Sequence, residues 1–297
     1  MLSIAQVLRA QAPVIRGMGE VALSGLVRRG GKARVPGPEI RVTLPPRDEA
    51  LVSAYAESVG VDSGVYPDVV PPHMFPQWAF ALTGKLLGEL PYPLLSAMNG
   101  GCRMEQRALI PRGEPLEVRA QLTSVDDDGK RAILTERFVT GTASVPDALS
   151  CEVRVFVPLA RGKRTKGTKD AEKKARPVIA EGTEQLASLS LGAGAGLSYA
   201  RVTGDFNPIH WVPAWARMSG FRSVILHGFG TFARAFEALR VGRAEGDPLR
   251  VRSLDVRFTR PLVLPASTGV WASADGRVWV GAGPGATPYC EGTFEIG

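Results

Sequence analysis

The chain has 297 residues, 44% hydrophobic and 22% charged, which is globular usage with apolar mass for more than one small domain. No apolar run approaches the roughly 20 residues that a membrane helix needs, so a membrane-spanning protein is not expected. The net charge of +7 hints at nucleic acid until it is located: residues 161–176, RGKRTKGTKDAEKKAR, hold eight Lys/Arg against Asp170 and Glu172, and the other 281 residues sum to +1. A short, strongly charged, poorly hydrophobic run of this kind reads as a solvated linker rather than a basic binding face.

The N-terminal stretch MLSIAQVLRAQAPVIRGMGE sets Arg9 and Arg16 among its apolar residues and lacks a basic start, so it is a poor signal peptide. Cys102, Cys151 and Cys290 are widely spaced and form no CxxC pair. They read as free thiols in a reducing, cytoplasmic setting.

A faded repeat runs through the chain. Tyr55-Ala56 followed by Gly60-Val61 matches Tyr199-Ala200 followed by Gly204-Asp205. His73 matches His227, Pro111 matches Pro261, and the turn signal Asp128-Gly129 matches Asp275-Gly276. The offsets are 144, 154, 150 and 147 residues, near constant apart from small insertions. Each copy then has one outline. After the histidine comes a helical pattern, with Phe232, Phe236 and Leu239 on one face in the second copy. Strands come next, in which Cys151, Val153, Val155 and Val157, or Leu254, Val256 and Phe258, alternate with mostly polar neighbours. A helix followed by antiparallel strands gives an α+β fold in which the sheet buries one face against the helix. The expected organisation is a faded domain over 1–160, a basic linker over 161–180 and a second domain over 181–297.

LGAGAGL at 191–197 looks like a nucleotide loop, but the third glycine of GxGxxG would fall on Leu197. It reads instead as a flexible approach to the next segment, YARVTGDFNPIH at 199–210. On a helix, five residues turn through about 500°, which would leave Asp205 and His210 roughly 140° apart. Pro208 breaks that helix and pushes Asn207 out of helical geometry. The resulting turn either brings carboxylate and imidazole over one point, where they can hold a water and move its protons, or is simply an Asp-capped turn with a satisfied histidine. A metal set of Asp205, His210 and His227 is a third reading, without the familiar HxD element. His227-Gly228 precedes a helical pattern, whose first N–H groups are unsatisfied and suit a ligand carbonyl. No GxSxG elbow occurs, so serine hydrolysis has no support.

YARVTGDFNPIH, followed by PAWARMSGFRSVILHGFGT, closely resembles the signature of the R-specific enoyl-CoA hydratases (hydratase 2), or MaoC-like dehydratases. The likeness is dense over 199–231 and weaker beyond; Val212 departs from it. The resemblance implies a double hot-dog, two sheets each wrapped around a helix and packed as a pseudo-dimer. It implies reversible syn hydration of trans-2-enoyl-CoA to (3R)-hydroxyacyl-CoA in fatty-acid metabolism, with no cofactor and no metal. Asp205 and His210 would be catalytic, Gly228 N–H would bind the thioester oxygen, and Asn207 and Tyr199 would support them. The partner would be an acyl-CoA or acyl-ACP thioester, with no nucleic acid and no membrane; a homodimer is left open. The alternatives are a 3-hydroxyacyl-ACP dehydratase and a non-catalytic acyl-thioester binder. The first copy keeps His73, read as structural, but has Val61 and Tyr66 where acid and base would stand. Its glycine-to-histidine span is thirteen residues against twenty-three, so an apolar hollow for medium or long acyl tails is expected there.

Overall fold

The computed structural model describes residues 4–24, 34–159 and 176–297. In chain order these form α1 (Ile4–Ser24), β1 (Ile40–Leu44), α2 (Glu49–Ser58), β2 (Val69–Val70), α3 (Pro76–Leu87), β3 (Met98–Gln106), β4 (Ile110–Pro111), β5 (Leu116–Asp127), β6 (Arg131–Gly141) and β7 (Leu149–Pro158). After the basic segment come β8 (Glu184–Leu191), α4 (Ala195–Thr203), α5 (Pro213–Met218), α6 (Gly228–Arg243), β9 (Val251–Phe258), β10 (Ala266–Ala272), β11 (Arg277–Gly281) and β12 (Cys290–Ile296). Of the linker expected at 161–180, residues 161–175 lie outside the described residues, whereas Ile179 is buried and pairs with Gly285 and Ala286 of the following half.

Ten strands make one antiparallel sheet in the order β1-β5-β6-β7-β3-β9-β12-β11-β10-β8, with β2 and β4 paired separately. Strands from residues 40–158 lie on one side of a seam between β3 and β9, and strands from 184–296 on the other. At the seam Cys102 faces Val256 and Met104 faces Leu254 across an antiparallel ladder. Arg154 reaches over it to the Val256 carbonyl at 2.7 Å, and Gln106 to the Val251 carbonyl at 2.6 Å.

The helical expectation for Phe232, Phe236 and Leu239 is met by α6, but the helix is buried on more than one face. Phe229, Phe232, Ala233, Ala235, Phe236 and Leu239 are all in the core. One apolar cluster runs through both sides of the seam, where Phe229 meets Phe75 edge-on at 5.3 Å between ring centres. The expected alternation holds through the middle of β9, where Leu254 and Val256 are buried and Arg257 is exposed. It breaks at the start of the strand, where Ser253 is buried beside an exposed Arg252, and Phe258 is only half-buried. Both Asp-Gly signals form turns, β5 to β6 and β10 to β11, with Gly129 and Gly276 at φ of 76° and 84°.

The N-terminal stretch, unassigned from sequence, is the 21-residue α1 despite Pro13 within it. Val7, Gln11 and Val14 are buried, and Gly17 lies where a Cβ would stand 2.8 Å from the Ala81 carbonyl oxygen of α3. No helix among the described residues is long and apolar enough to cross a membrane.

Candidate active site

The glycine-rich approach runs from the end of β8 at Leu191 through a turn into α4: Gly194 is the N-cap, and the helix continues through Tyr199 to Thr203. Gly196 allows α4 to press against the next segment, since a Cβ there would stand 2.0 Å from the His210 carbonyl oxygen. The helix ends at Gly204, left-handed at φ 82°, whose N–H closes on the Ala200 carbonyl at 2.8 Å. Val14 and Gln11 of α1 back this glycine, and Gln11 donates to the Arg201 carbonyl at 3.3 Å.

The break at Asn-Pro then does what the residues dictate. Asp205 Oδ1 accepts the Asn207 N–H at 3.2 Å, and Asn207 Oδ1 accepts the Ile209 N–H at 3.3 Å. Asn207 is thus the cap, and Pro208 the first residue, of a single 3₁₀ turn ending at His210. His210 is buried, and its Nδ1–H donates to the Ile225 carbonyl at 2.8 Å. A carbonyl can only accept, so Nδ1 carries the hydrogen and Nε2 of a neutral ring keeps a free lone pair.

His227 is the residue whose part the sequence understated. It caps α6, and its Nε2–H donates to the main-chain oxygen of Asp205 at 3.0 Å, with Asp205 Oδ2 at 3.8 Å. Its ring stacks on His210 at 3.5 Å between centres, tilted by 21°. Burial, with the His210 imidazole beside it, pushes His227 down to about 3, so it stays neutral through the neutral range. Its bare Nδ1 is buried without a hydrogen-bond partner, consistent with an unprotonated nitrogen there. No spacing rule flags a histidine that binds a main-chain oxygen twenty-two residues away.

Asp205, His210 and His227 thus converge, their ligand-type atoms all within 4.8 Å of one another. The His227 Nε2 hydrogen is turned to the Asp205 main-chain carbonyl, away from the space between the other two side chains. What remains is two acceptors, the Asp205 carboxylate and His210 Nε2, over one point. Only 17% of the Asp205 side chain is exposed and His210 is buried, so the pair is largely shielded from bulk water.

Gly228 is the first residue of α6, where no helical carbonyl takes its N–H. It packs against the Phe258 ring, 2.8 Å from where a Cβ would be. Tyr199 is fully buried with its ring 5.0 Å from that of His227, and burial pushes its phenol up strongly. It lies against the histidine ring, and the Asp205 charge adds to the upward push on its phenol. In the faded copy Tyr66 and His73 are fully buried and bonded to Glu237 of α6, and Val61 packs half-buried against the core. The position of Tyr66 is therefore part of a polar cluster, while Val61 keeps an apolar side chain at the other motif position.

Comparison with known proteins bears on the family and the fold. Residues 180–277 match the MaoC like domain family. A 3-hydroxyacyl-thioester dehydratase X of Mycobacterium tuberculosis (strain ATCC 25618 / H37Rv) is 27% identical over 246 residues, 82% of this chain and 83% of that protein. The peroxisomal enoyl-CoA hydratase 2 of Arabidopsis thaliana is 38% identical over 68 residues, 23% of this chain and 22% of that one. Among solved structures, HtdX of Mycobacterium tuberculosis superposes with a TM-score of 0.65 at 23% identity, covering 87% of this chain and 100% of that one. Another protein of that organism, described as having a double hotdog fold, gives 0.53 at 16% identity over 88% of this chain and 94% of its own. Residues 180–277 of this chain are a MaoC-like dehydratase domain, carried on a double hot-dog fold.

Proposed function

We propose that the chain is a hydro-lyase that adds water reversibly across the C2=C3 bond of a trans-2-enoyl-CoA, giving the (3R)-hydroxyacyl-CoA. The faded half is 1–160, the basic linker 161–180 and the catalytic half 181–297. The observation that carries the reading is the His210 Nδ1–H bond to Ile225, which leaves Nε2 as an acceptor beside the Asp205 carboxylate. One water held between two acceptors can lose a proton to one of them while its oxygen attacks C3. The proton added at C2 comes from the same pair, so hydrogen and hydroxyl arrive on one face. Charge developing on the thioester oxygen is met by the Gly228 N–H, aided by the α6 dipole. Asn207 holds the turn and Tyr199 packs behind His227. The three cysteines, free and buried, fit a reducing cytosol.

The reading is tested by loss of the enoyl-thioester absorbance on adding crotonyl-CoA, and by its gain from (3R)-hydroxybutyryl-CoA. Tight binding of either with no turnover would leave a non-catalytic acyl-thioester binder. The same assay reports acyl length. Each buried CH₂ contributes about 0.8 kcal/mol, so two carbons are worth roughly fifteenfold at full burial and about threefold if packing is imperfect. We expect kcat/KM to rise from C4 to at least C8 along the Val61 side. Val61→Trp should remove that rise while sparing C4. A flat profile would mean that the polar cluster around Tyr66 has closed the space.

A further inference from the structure

The faded copy's own motif residues form a buried polar cluster outside the active centre. Tyr66 donates its hydroxyl hydrogen to Glu237 Oε1, and His73 Nε2 lies 2.7 Å from the same oxygen. Arg240 Nε donates to Glu237 Oε2 at 2.6 Å. Tyr55 points its one hydroxyl hydrogen at the His73 carbonyl, 2.6 Å away, so at 2.9 Å its oxygen accepts from His73 Nδ1. With a carboxylate at one ring nitrogen and a phenol oxygen at the other, both nitrogens of His73 act as donors. Burial alone would raise the Glu237 carboxyl, but His73, Tyr66 and Arg240 outweigh it and hold the group down at about 2. None of these residues is more than 8% exposed.

The cluster joins two parts of the chain. Tyr55, Tyr66 and His73 precede the basic segment, whereas Glu237 and Arg240 sit on α6, the helix that begins at Gly228. Arg234 of the same helix adds a third tie, donating to the Ser58 carbonyl at 2.7 Å. Apolar contacts, such as that of Phe236 with the His73 ring at 5.1 Å, hold a helix sideways but let it slide. Hydrogen bonds converging on one carboxylate are directional, and a fully satisfied buried network of this kind rigidifies what it joins. At about 1.5 Å per residue, Glu237 stands roughly 13 Å along the axis from Gly228, and a helix transmits an axial constraint over that length.

We propose that Tyr66 and His73 are positioning residues for the active centre in the other half: by binding Glu237 they fix α6 along its axis, and with it the Gly228 N–H. The catalytic part of this rests on reading that N–H as the group that meets the thioester oxygen. The faded motif has exchanged water handling for a clamp on the helix that its neighbour uses.

The test compares Tyr66→Phe, which removes one oxygen and keeps the ring, with Glu237→Gln. Two readouts are taken: crotonyl-CoA kinetics, and the Gly228 amide resonance of ¹⁵N-glycine-labelled protein. Small misplacement of a preorganised group is felt chiefly in kcat, so we expect a fall of about tenfold with KM held within about twofold. The double variant should be no worse than Glu237→Gln alone, because both act through one carboxylate. The Gly228 amide should shift in each variant. Wild-type kcat in Tyr66→Phe, or an unmoved Gly228 amide, overturns the clamp, whatever happens to Tm. Should the unmodified chain turn over no enoyl thioester, the hydratase reading fails and the amide resonance alone decides the clamp.

Discussion

Asp205→Asn and His210→Asn are each expected to lower kcat for crotonyl-CoA hydration by at least about 10²-fold, since a positioned acid–base group contributes typically 10²–10⁴. Asp205→Asn is the sharper test. The amide keeps an oxygen for the Asn207 N–H, so the turn survives while the negative charge goes. Loss of activity without loss of fold would then report chemistry rather than structure, and a thermal melt checks the fold. The double variant should be little worse than the poorer single one, because both groups serve one water. Two fully active single variants would make the pair a structural turn.

The second large effect is expected at Gly196→Ala, a residue that touches no substrate. Its Cβ would stand 2.0 Å from the His210 carbonyl oxygen, a main-chain atom that cannot rotate aside. Either α4 or the 3₁₀ turn bearing His210 must move. Overpacking of this kind costs about 1–3 kcal/mol in stability. Displacing the base by even 1 Å is expected to lower kcat by about 10²-fold, because such misplacement undoes the alignment on which the rate depends. Gly194→Ala is the control, as nothing lies within 4 Å of where its Cβ would be. If Gly196→Ala matched it in kcat and melting temperature, the close approach would not govern His210.

The turn at 204–210 was legible in its path, though not in its role, because its residues constrain the backbone locally. Proline ends the helical path, asparagine caps the short turn beyond it, and carboxylate and imidazole are brought over one point. The α6 face and the β9 alternation were legible for the same reason, since burial periodicity is written in the side chains themselves. His227 was only half legible. Its position before a helix could be read, but its partner is a main-chain oxygen, which any residue type would supply. The α1 helix was missed because Pro13 and the arginines interrupt its apolar pattern, although Gln11 and Val14 are buried. Glu237 and Arg240 carried no such signal. Charged residues on a helix suggest a wet face, and only the fold brings Tyr66 and His73 to meet them. That polar cluster depends on a contact between residues 171 positions apart, which no local pattern encodes.

The β3–β9 ladder has a consequence for how the molecule could ever come apart. Each of these strands has its second neighbour only because the other half supplies it. Severing the chain at the basic segment and separating the pieces would strip one flank from each, leaving rows of bare N–H and C=O groups beside freshly exposed apolar side chains. Such a flank is sticky toward any strand of matching length, including the same strand of another molecule. The isolated C-terminal piece would thus present β9 as a self-complementary rim, and two copies meeting there would rebuild a ten-stranded sheet with a two-fold axis through the join. Fusion of the halves occupies that rim within one chain, so the pairing that would otherwise depend on concentration is made permanent by connectivity.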